Sequence, residues 1–548
     1  MFIHNIDNWS KGSRFLFLVA FASLVFLAGL GRRHLWDGEP REAGIAAEMA
    51  RSKDFVVPRL NGQPFLEKPP LYYWIASSIF LAFGESTSTA KLPSALAAIG
   101  GIVIIFIFGR KMSFSPSTAF VSSLALATSA EYWNLSRQCM IDMTLCLFIT
   151  GAMLCFFQAS RLEAGRILWS AGFALSLACA VLTKGLIGLA IPLSALTVWL
   201  LIRRKFSFRV WFLLVFGAVL SLIPVAIWIY LLCQQLGNNI VYKAVLDNNV
   251  GRFTGGYAQH VEPFSYYLLK FPPQLLPWLL FLPMACIFHF REIRRQGKES
   301  PSLFLLIWFV VPFLLLCMSA GKRTVYLLPL YPAAALFVGQ AVGAVLDGRE
   351  NPTNWFRIPV AILLWATILA PLTFICIYIY FKQPLTGWLI LCVFGCCIGL
   401  WAQRRLSKKN LKGFPALLAL ALLAAYLAFD TSIAPISNEK NSVEPLFEYC
   451  KSLKSKGGRI GLFHPKESMS GAAVFYLGNC VQVLADMKEI ERFLCSSPNT
   501  AVVSNDMHLQ NPDDVDILKS FRINNGTMVV AACKAVHGEQ NDGIRPLD

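Results

Sequence analysis

A charged stretch, WDGEPREAGIAAEMARSKDFVVPRLNGQPFLEKPPLYYW, occupies residues 36–74 of the chain. The apolar segments around it, residues 15–30 before it and the spans from residue 91 onward, carry almost no charge. Charge concentrated beside a bilayer indicates chemistry, binding or a solvated loop. The alternation therefore indicates a membrane scaffold that holds a charged segment at its surface. The charged side chains of the stretch include Asp37, Glu39, Arg41, Glu42, Glu48, Arg51, Glu67 and Lys68.

The composition determines the structural class. Of the 548 residues, 56% are hydrophobic and 15% are charged, and the mean hydropathy is +0.55. One soluble core cannot bury so much apolar surface, so we predict a polytopic α-helical membrane protein surrounded by membrane lipids. The formal charge of +17 would suggest nucleic acid in a soluble protein, but here Lys and Arg cluster in short loops between spans. That pattern is typical of cytoplasmic anchoring and argues against a nucleic-acid partner.

About thirteen segments are predicted to cross the bilayer by the roughly 20-residue criterion. The first is interpreted as a retained anchor rather than a cleaved signal peptide. Two further segments are predicted as outer juxtamembrane helices: one begins at Pro40 and lies at the membrane surface, and one, residues 71–84, is interfacial or re-entrant. The predicted spans lie near residues 15–30, 91–109, 116–133, 139–159, 167–183, 186–202, 209–232, 264–290, 301–319, 325–346, 357–380, 384–402 and 413–430.

Alternation of these spans places the basic loops and the N-terminus inside. A second set of charges is left outside, where basic residues run against the orientation rule. Such charges at a membrane edge are candidates for function, although Lys184 or Lys322 alone could simply extend its side chain to the interface. The outer set comprises Arg137 with Asp142, Lys184, the loop from Asp247 to Glu262, and Lys322 with Arg323.

The composition changes after residue 430. Short apolar runs at residues 459–463, 473–477 and 500–503 alternate with helical stretches at residues 443–454 and 487–495. We therefore predict a transmembrane domain, residues 1–430 with the outer loop 32–70, followed by a small extracytoplasmic α/β domain, residues 431–548. In an oxidising compartment its cysteines could form disulfides whose connectivity the sequence leaves open. These cysteines are Cys450, Cys480, Cys495 and Cys533.

Carboxylates mixed with Arg and Lys at headgroup depth suit a phosphorylated lipid whose tail lies among the spans. Guanidinium and ammonium groups bind phosphate, and carboxylates bind a metal ion or transfer a proton. The sequence has no Walker loop, no GxGxxG after a strand and no HExxH, so a nucleotide cofactor and zinc proteolysis have no support. Since a glycosyl transfer outside the cell has no nucleotide sugar available, its donor must be carried on a lipid.

Five segments carry a resemblance to a known family. On these residues the membrane portion resembles the aminoarabinose (4-amino-4-deoxy-L-arabinose) lipid A transferase family, within the protein-mannosyltransferase-like superfamily of GT-C glycosyltransferases. The string NGQPFLEKPPLYYW is the specific part, and the C-terminal domain resembles the family only in position. The segments are Glu39-Pro40-Arg41 followed by IAAEM, PRLNGQPFLEKPPLYYW at 58–74, LPSALAA at 92–98, Arg137 with Asp142-Met143, and KRTVYLLPLYP at 322–332.

The resemblance implies an undecaprenyl-phosphate sugar as donor and a lipid A phosphate as acceptor, on the periplasmic side of a bacterial inner membrane. It also implies a divalent metal ion at the reaction centre. The residues expected to bind the lipid phosphate are Arg41, Lys68, Arg252, Lys322 and Tyr326. The expected metal ligands are Glu67, Asp142 and Asp247, the last at a position often occupied by His.

The chain departs from the family signature at one position. The family usually has Asp directly before the Glu of the first outer helix, and here that position is Gly38. Either Asp37 or Glu39 takes the role, or the role is absent.

The predicted reaction is an inverting displacement at the anomeric carbon, with polyprenyl phosphate as leaving group stabilised by the basic residues. A phosphate acceptor is already an anionic nucleophile and needs no base. A hydroxyl acceptor needs a carboxylate, and the candidates are Asp37, Glu39 and Asp142.

Two other functions stay open at this level. One is the transfer of another polyprenyl-linked sugar to O-antigen, another glycan or a protein. The other is a lipid-linked sugar flippase that performs no chemistry. A flippase is expected to place polar residues along a path through both leaflets, whereas the acids here collect on one side, which favours an enzyme.

Overall fold

The computed structural model describes residues 10–112, 114–161, 165–204, 207–247, 261–381, 397, 413–505, 515–523 and 526–533. The chain divides into two units. The first comprises residues 1–30, 66–72 and 91–432, and the second comprises residues 31–65, 73–90 and 433–548. The outer loop 32–70, which we assigned to the membrane domain, is thus shared between the two units.

Helices account for most of the chain before residue 442. Serine residues begin two of them: the Ser10 hydroxyl accepts a hydrogen bond from the Ser13 N–H at 3.1 Å, and Ser115 accepts one from Thr118 at 3.0 Å. These helices are α1 (Lys11–Leu27), α2 (Glu39–Ser52), α3 (Leu71–Phe83), α4 (Thr87–Lys111), α5 (Pro116–Ala127), α6 (Ala130–Ser136), α7 (Ile141–Arg161), α8 (Arg166–Lys184), α9 (Ile187–Arg203), α10 (Phe208–Ser221), α11 (Ile223–Leu236), α12 (Asn238–Leu246), α13 (Tyr266–Gln274), α14 (Leu282–Gln296), α15 (Pro301–Met318), α16 (Tyr331–Leu346), α17 (Asn354–Phe381) and α18 (Phe414–Asn441).

The predicted polytopic helical class is confirmed. Within the described residues, seven helical segments are long and apolar enough to cross a membrane, and an eighth is added if the pair at residues 266–274 and 278–299, bent by 102°, is one span. Several other predicted spans form shorter apolar helices of 10–17 residues, among them α1, α5 and α9. The predicted span at 384–402 lies almost wholly outside the described residues.

Small residues let two of these helices approach closely. A Cβ atom added to Gly339 on α16 would lie 2.6 Å from the Cα of Ser122 on α5, and one added to Gly343 would lie 2.7 Å from the Cα of Thr118. Two glycines four residues apart therefore form one contact face, which is the usual way that membrane helices pack without large side chains.

The second unit contains a five-stranded sheet in the order β4-β3-β5-β7-β6. Strand β3 pairs in parallel with β4 and β5, whereas β7 pairs antiparallel with β5 and β6. A separate two-stranded ribbon, β1 with β2, lies in the charged stretch. The strands are β1 (Arg59–Leu60), β2 (Gln63–Pro64), β3 (Ile460–Phe463), β4 (Gln482–Leu484), β5 (Ala501–Asn505), β6 (Val515–Ile523) and β7 (Gly526–Cys533).

Helices cover both faces of this sheet. Leu462 and Val503 share one apolar cluster with α19 (Glu444–Ser455) and α20 (Glu467–Leu477), whereas Phe463 and Val502 share the other with α21 (Met487–Leu494). Consecutive strand residues thus face opposite clusters. The predicted α/β domain is confirmed. The apolar run at 473–477 is the end of α20 rather than a separate element, because Ala473 and Leu477, four residues apart, both face the first cluster.

Helix α2 packs against α20 through a contact between two glycines. A Cβ atom on Gly44 would lie 2.5 Å from the carbonyl oxygen of Gly471, and one on Gly471 would lie 2.5 Å from the Cα of Arg41. Both neighbours are backbone atoms, which cannot move aside as a flexible side chain would. The glycine pair therefore determines how closely the helix that carries Glu39 and Arg41 approaches α20.

Substitution of Gly471 with Ala should destabilise this unit by about 1–3 kcal/mol, because the added methyl group forces α2 and α20 apart. The measurement is denaturant unfolding of the purified protein in detergent. Gly526→Ala is the matched control, since its Cβ would meet no atom closer than 3.6 Å. Equal stability of the two variants would contradict the close packing.

Candidate active site

One cluster of predicted site residues lies in the first unit. Asp142, 3% exposed, lies in the first turn of α7 and forms an ion pair with Lys184, the last residue of α8. The Nζ of Lys184 also lies 4.4 Å from the centroid of the Tyr326 ring. The ammonium group thus contacts both a carboxylate and an aromatic face. Asp142, Lys184 and Tyr326 are called the Asp142 cluster below.

Each charge of the pair lies at the helix end that stabilises it. Carboxylates are favoured at a helix N-terminus, where Asp142 lies, and ammonium groups at a C-terminus, where Lys184 lies. Gly185 ends α8 with a φ of 73°, and its N–H donates to the Val181 carbonyl at 2.7 Å. The segment that carries Tyr326, residues 324–330, is held to α7 by the Cys146 thiol, which donates to the Leu328 carbonyl at 3.3 Å.

Two other outer basic residues hold backbone segments in place. The buried Lys322 ammonium donates to the carbonyl of Glu262 at 2.7 Å and to that of Ser319 at 2.5 Å. Arg137 donates to the Ala28 carbonyl, just beyond the end of α1, at 2.8 Å, and pairs with Asp430 at 3.0 Å. Because two of its three donors bind carbonyl groups, Lys322 has limited capacity for a phosphate. Its predicted role as a phosphate ligand stays a prediction.

A second cluster lies in the second unit, around Arg41. Its Nη2 and Nε donate to Glu42 at 2.6 and 3.2 Å, and its Nη1 donates to Glu467 at 2.8 Å. The other oxygen of Glu42 accepts a hydrogen bond from the Tyr73 hydroxyl at 2.7 Å. Arg41, Glu42, Tyr73 and Glu467 are called the Arg41 cluster below.

The Arg41 guanidinium carries a stable positive charge. The Glu42 carboxylate raises the pKa of Arg41 above its ordinary value, against the opposing effect of burial. Arg41 is therefore a cation at neutral pH. Because three of its N–H groups already bind carboxylates, a lipid phosphate would have to compete with Glu42 and Glu467 for this guanidinium.

Asp37 and Glu39, the acids on either side of Gly38, occupy different environments. Glu39, buried as the first residue of α2, accepts hydrogen bonds from Arg33 at 3.0 Å and from the Trp36 N–H at 3.3 Å. Asp37 is exposed and has a φ of 53°, in the turn before Gly38. Glu39 thus acts as a carboxylate at a helix start. Whether Asp37 or Glu39 replaces the usual acid stays a prediction.

Within the described residues, the predicted metal ligands do not form a group of three. Glu67 and Lys68 are half-buried in the segment between β2 and α3, Asp247 directly follows α12, and Arg252 lies outside the described residues. Over the part of the chain that the structure describes, no group of three or more His, Cys, Asp or Glu side chains could hold a metal ion. The carboxylate of Asp142 binds an ammonium group instead. These residues therefore do not fit a divalent metal, and no step below passes through one.

Sequence reasoning missed several partners in both clusters. For Lys184 the sequence offers one signal, a basic residue on the outer side that violates the orientation rule. Glu42 and Tyr73 are 31 residues apart, and Arg41 and Glu467 are 426 apart, so no periodicity could connect them. These contacts depend on tertiary structure.

The chain is similar in sequence to known glycosyltransferases. Residues 15–242 match the family model for dolichyl-phosphate-mannose-protein mannosyltransferase. The undecaprenyl phosphate-alpha-4-amino-4-deoxy-L-arabinose arabinosyl transferase 2 of Proteus mirabilis is 29% identical over 340 residues, which cover 61% of this chain and 60% of the relative. The corresponding transferase of Edwardsiella ictaluri is 31% identical over 322 residues, or 58% and 57% of the two chains.

The fold extends the similarity over nearly the whole chain. ArnT from Cupriavidus metallidurans, in its crystal structure bound to undecaprenyl phosphate, superposes with a TM-score of 0.73 and 20% identity, and the match covers 95% of this chain and 98% of ArnT. The predicted resemblance to the aminoarabinose transferase family is confirmed. Because the structural match covers 95% of the chain, it extends to the C-terminal sheet domain, which the sequence matched only in position. The sequence matches with the curated relatives cover about three fifths of each relative's length.

The ion pair of the Asp142 cluster should be strongly coupled. Lys184→Met leaves the Asp142 carboxylate buried without its counter-ion and should cost about 3–5 kcal/mol of unfolding free energy. Asp142→Asn leaves the Lys184 ammonium without its counter-ion and should cost a similar amount. The double variant should recover most of that loss, because no unpaired charge remains. Denaturant unfolding in detergent measures all three.

The matched control is Lys451→Met, which breaks a surface pair between Lys451 and Glu448 at 3.7 Å. It should cost less than about 1 kcal/mol. Additive losses in the double variant would show that Asp142 and Lys184 do not depend on each other.

Proposed function

We propose that the protein is a membrane glycosyltransferase that moves 4-amino-4-deoxy-L-arabinose from undecaprenyl phosphate to a phosphate of lipid A. The observation that carries the proposal is the Asp142 cluster: a buried carboxylate pairs with an ammonium group that lies against a tyrosine ring, in a chain with the fold of ArnT. The reaction would take place on the periplasmic side of a bacterial inner membrane, where the positive-inside rule places the Asp142 cluster.

Charge stabilisation is the main contribution that the protein makes. Displacement at the anomeric carbon breaks the bond to the donor phosphate, on which negative charge develops. Lys184 is a fixed cation beside this reaction centre, and Lys68 and Arg252 are the predicted additional cations. Preorganised charges in a site shielded from water stabilise such a transition state more than they would in bulk solvent. The Tyr326 ring and the Asp142 carboxylate keep the Lys184 ammonium in one position.

The state of Asp142 favours a phosphate acceptor. A lipid A phosphate is an anionic nucleophile that needs no base. A hydroxyl acceptor would need a carboxylate to take its proton, yet Asp142 already accepts a hydrogen bond from an ammonium group, which proton uptake would disrupt. The pair thus fits a role in orientation and charge balance better than a role as general base.

One observation favours a second candidate. The family model that matches residues 15–242 is described as a protein mannosyltransferase, whose acceptor is a protein. In that case a polyprenyl-linked sugar would pass to a protein hydroxyl, and an exposed acid such as Asp37 would be the available base. The nature of the acceptor separates the two candidates.

Mass spectrometry of lipid A tests the proposal in cells. A deletion strain is complemented with the wild type, with Lys68→Ala or with Lys451→Ala, under conditions that induce lipid A modification. The wild type and the exposed-lysine control should add the mass of a pentosamine to lipid A. The deletion should abolish this addition, and Lys68→Ala should lower it by about 100-fold if Lys68 stabilises the leaving phosphate.

Lipid A that is unchanged between wild type and deletion would contradict the proposed acceptor. Envelope glycoproteins and other glycans from the same strains would then show whether the sugar is transferred elsewhere. Loss of the pentosamine in the deletion but not in Lys68→Ala would leave the function intact and remove Lys68 from the phosphate site.

A further inference from the structure

Two cysteines meet at the edge of the C-terminal sheet. Cys495 directly follows α21, and Cys533 is the last residue of β7. Their Sγ atoms lie 2.9 Å apart. The sulfur atoms of a disulfide lie about 2.05 Å apart, so the two sulfur atoms are within about 1 Å of bonding distance.

Cys495 and Cys533 differ in exposure. Cys533 is buried in the apolar cluster that α21 forms against the sheet, together with Phe493 and Leu494 of that helix and Val529 of β7. Cys495 is exposed at the margin of the same cluster. One thiol is thus accessible to an external reactant, and the second lies directly behind it.

The other two cysteines of this domain have different environments. Cys450 is completely buried on the opposite face of the sheet, and burial raises the pKa of its thiol to about 12. Burial and the neighbouring Glu48 carboxylate raise the pKa of the Cys480 thiol. Both thiols are therefore poor nucleophiles. Of the connectivities that the sequence leaves open, only Cys495 with Cys533 has a contact between sulfur atoms among the described residues.

We propose that Cys495 and Cys533 are joined by a disulfide in the mature protein. The inference rests on the proposed periplasmic location, because a disulfide forms in an oxidising compartment. The bond closes a segment that includes β5 and β6 and ties the end of α21 to β7. It stabilises the domain mainly by restricting the unfolded chain.

The oxidant is a protein of the dithiol–disulfide class. The Cys495 thiolate attacks the disulfide of the oxidant, which forms a mixed disulfide and releases one thiol of the oxidant. The Cys533 thiolate then attacks the Cys495 sulfur, which releases the second thiol. Two electrons and two protons pass to the oxidant, which leaves as a dithiol.

Peptide mass spectrometry on the full-length protein tests the bond. The protein is alkylated during purification without reductant and digested with trypsin, which releases Cys495 in residues 493–519 and Cys533 in residues 523–534. The expected product is one linked species whose mass is the sum of the two peptides minus two hydrogen atoms. Reduction should separate it, and Cys495→Ser should abolish it. Two alkylated, separate peptides, or either cysteine linked to Cys480, would overturn the proposal.

A topology reporter separates the two ways in which the inference can fail. Lys488→Cys places a thiol on the exposed side of α21, and a membrane-impermeant maleimide is added to spheroplasts. Labelling at residue 488 together with the linked peptides supports the proposal. Labelling with reduced Cys495 and Cys533 overturns the pairing itself, whereas protection of residue 488 with reduced thiols overturns the proposed location and the disulfide with it.

Discussion

A carboxylate buried among membrane-spanning helices needs a counter-ion, and this requirement governs the centre of the first unit. Isolated buried charges cost several kcal/mol, so they persist only when paired or when they serve function. Asp142 meets the requirement through Lys184, which the ends of α7 and α8 bring together. Tyr326 covers the ammonium group from a third segment. The pair therefore connects helix packing with the chemistry proposed for the site.

In the second unit, close helix packing brings charged partners together. Gly44 and Gly471 allow α2 and α20 to approach until their backbones touch. This approach lets Arg41 reach Glu467 while it also holds Glu42, so a cation and two carboxylates close one network. A bulkier residue at either glycine would separate the partners. The charge network of the Arg41 cluster therefore depends on the close packing of Gly44 and Gly471.

The sequence predicted what depends on local pattern. Hydropathy predicted the polytopic helical class, Pro40 predicted the start of α2, and the alternation of runs predicted the C-terminal α/β domain. It also singled out Asp142 and Lys184 as outer charges that the orientation rule left unexplained. It could not predict that they pair, because the contact joins residues 42 positions apart on two helices. The roles of Glu42, Tyr73 and Glu467 depend on tertiary contacts for the same reason, and within the described residues the predicted metal ligands do not form a group of three.

The account makes Lys184 a fixed cation that stabilises the leaving phosphate, in addition to its structural partnership with Asp142. Turnover of undecaprenyl phosphate-linked aminoarabinose by the purified protein in lipid nanodiscs tests this most directly. The informative variant is the double substitution Asp142→Asn with Lys184→Met, since it avoids a buried unpaired charge and should stay folded. The account predicts a folded, monodisperse protein whose turnover is at least about 100-fold below that of the wild type. A folded double variant with wild-type turnover would show that the pair serves the fold alone.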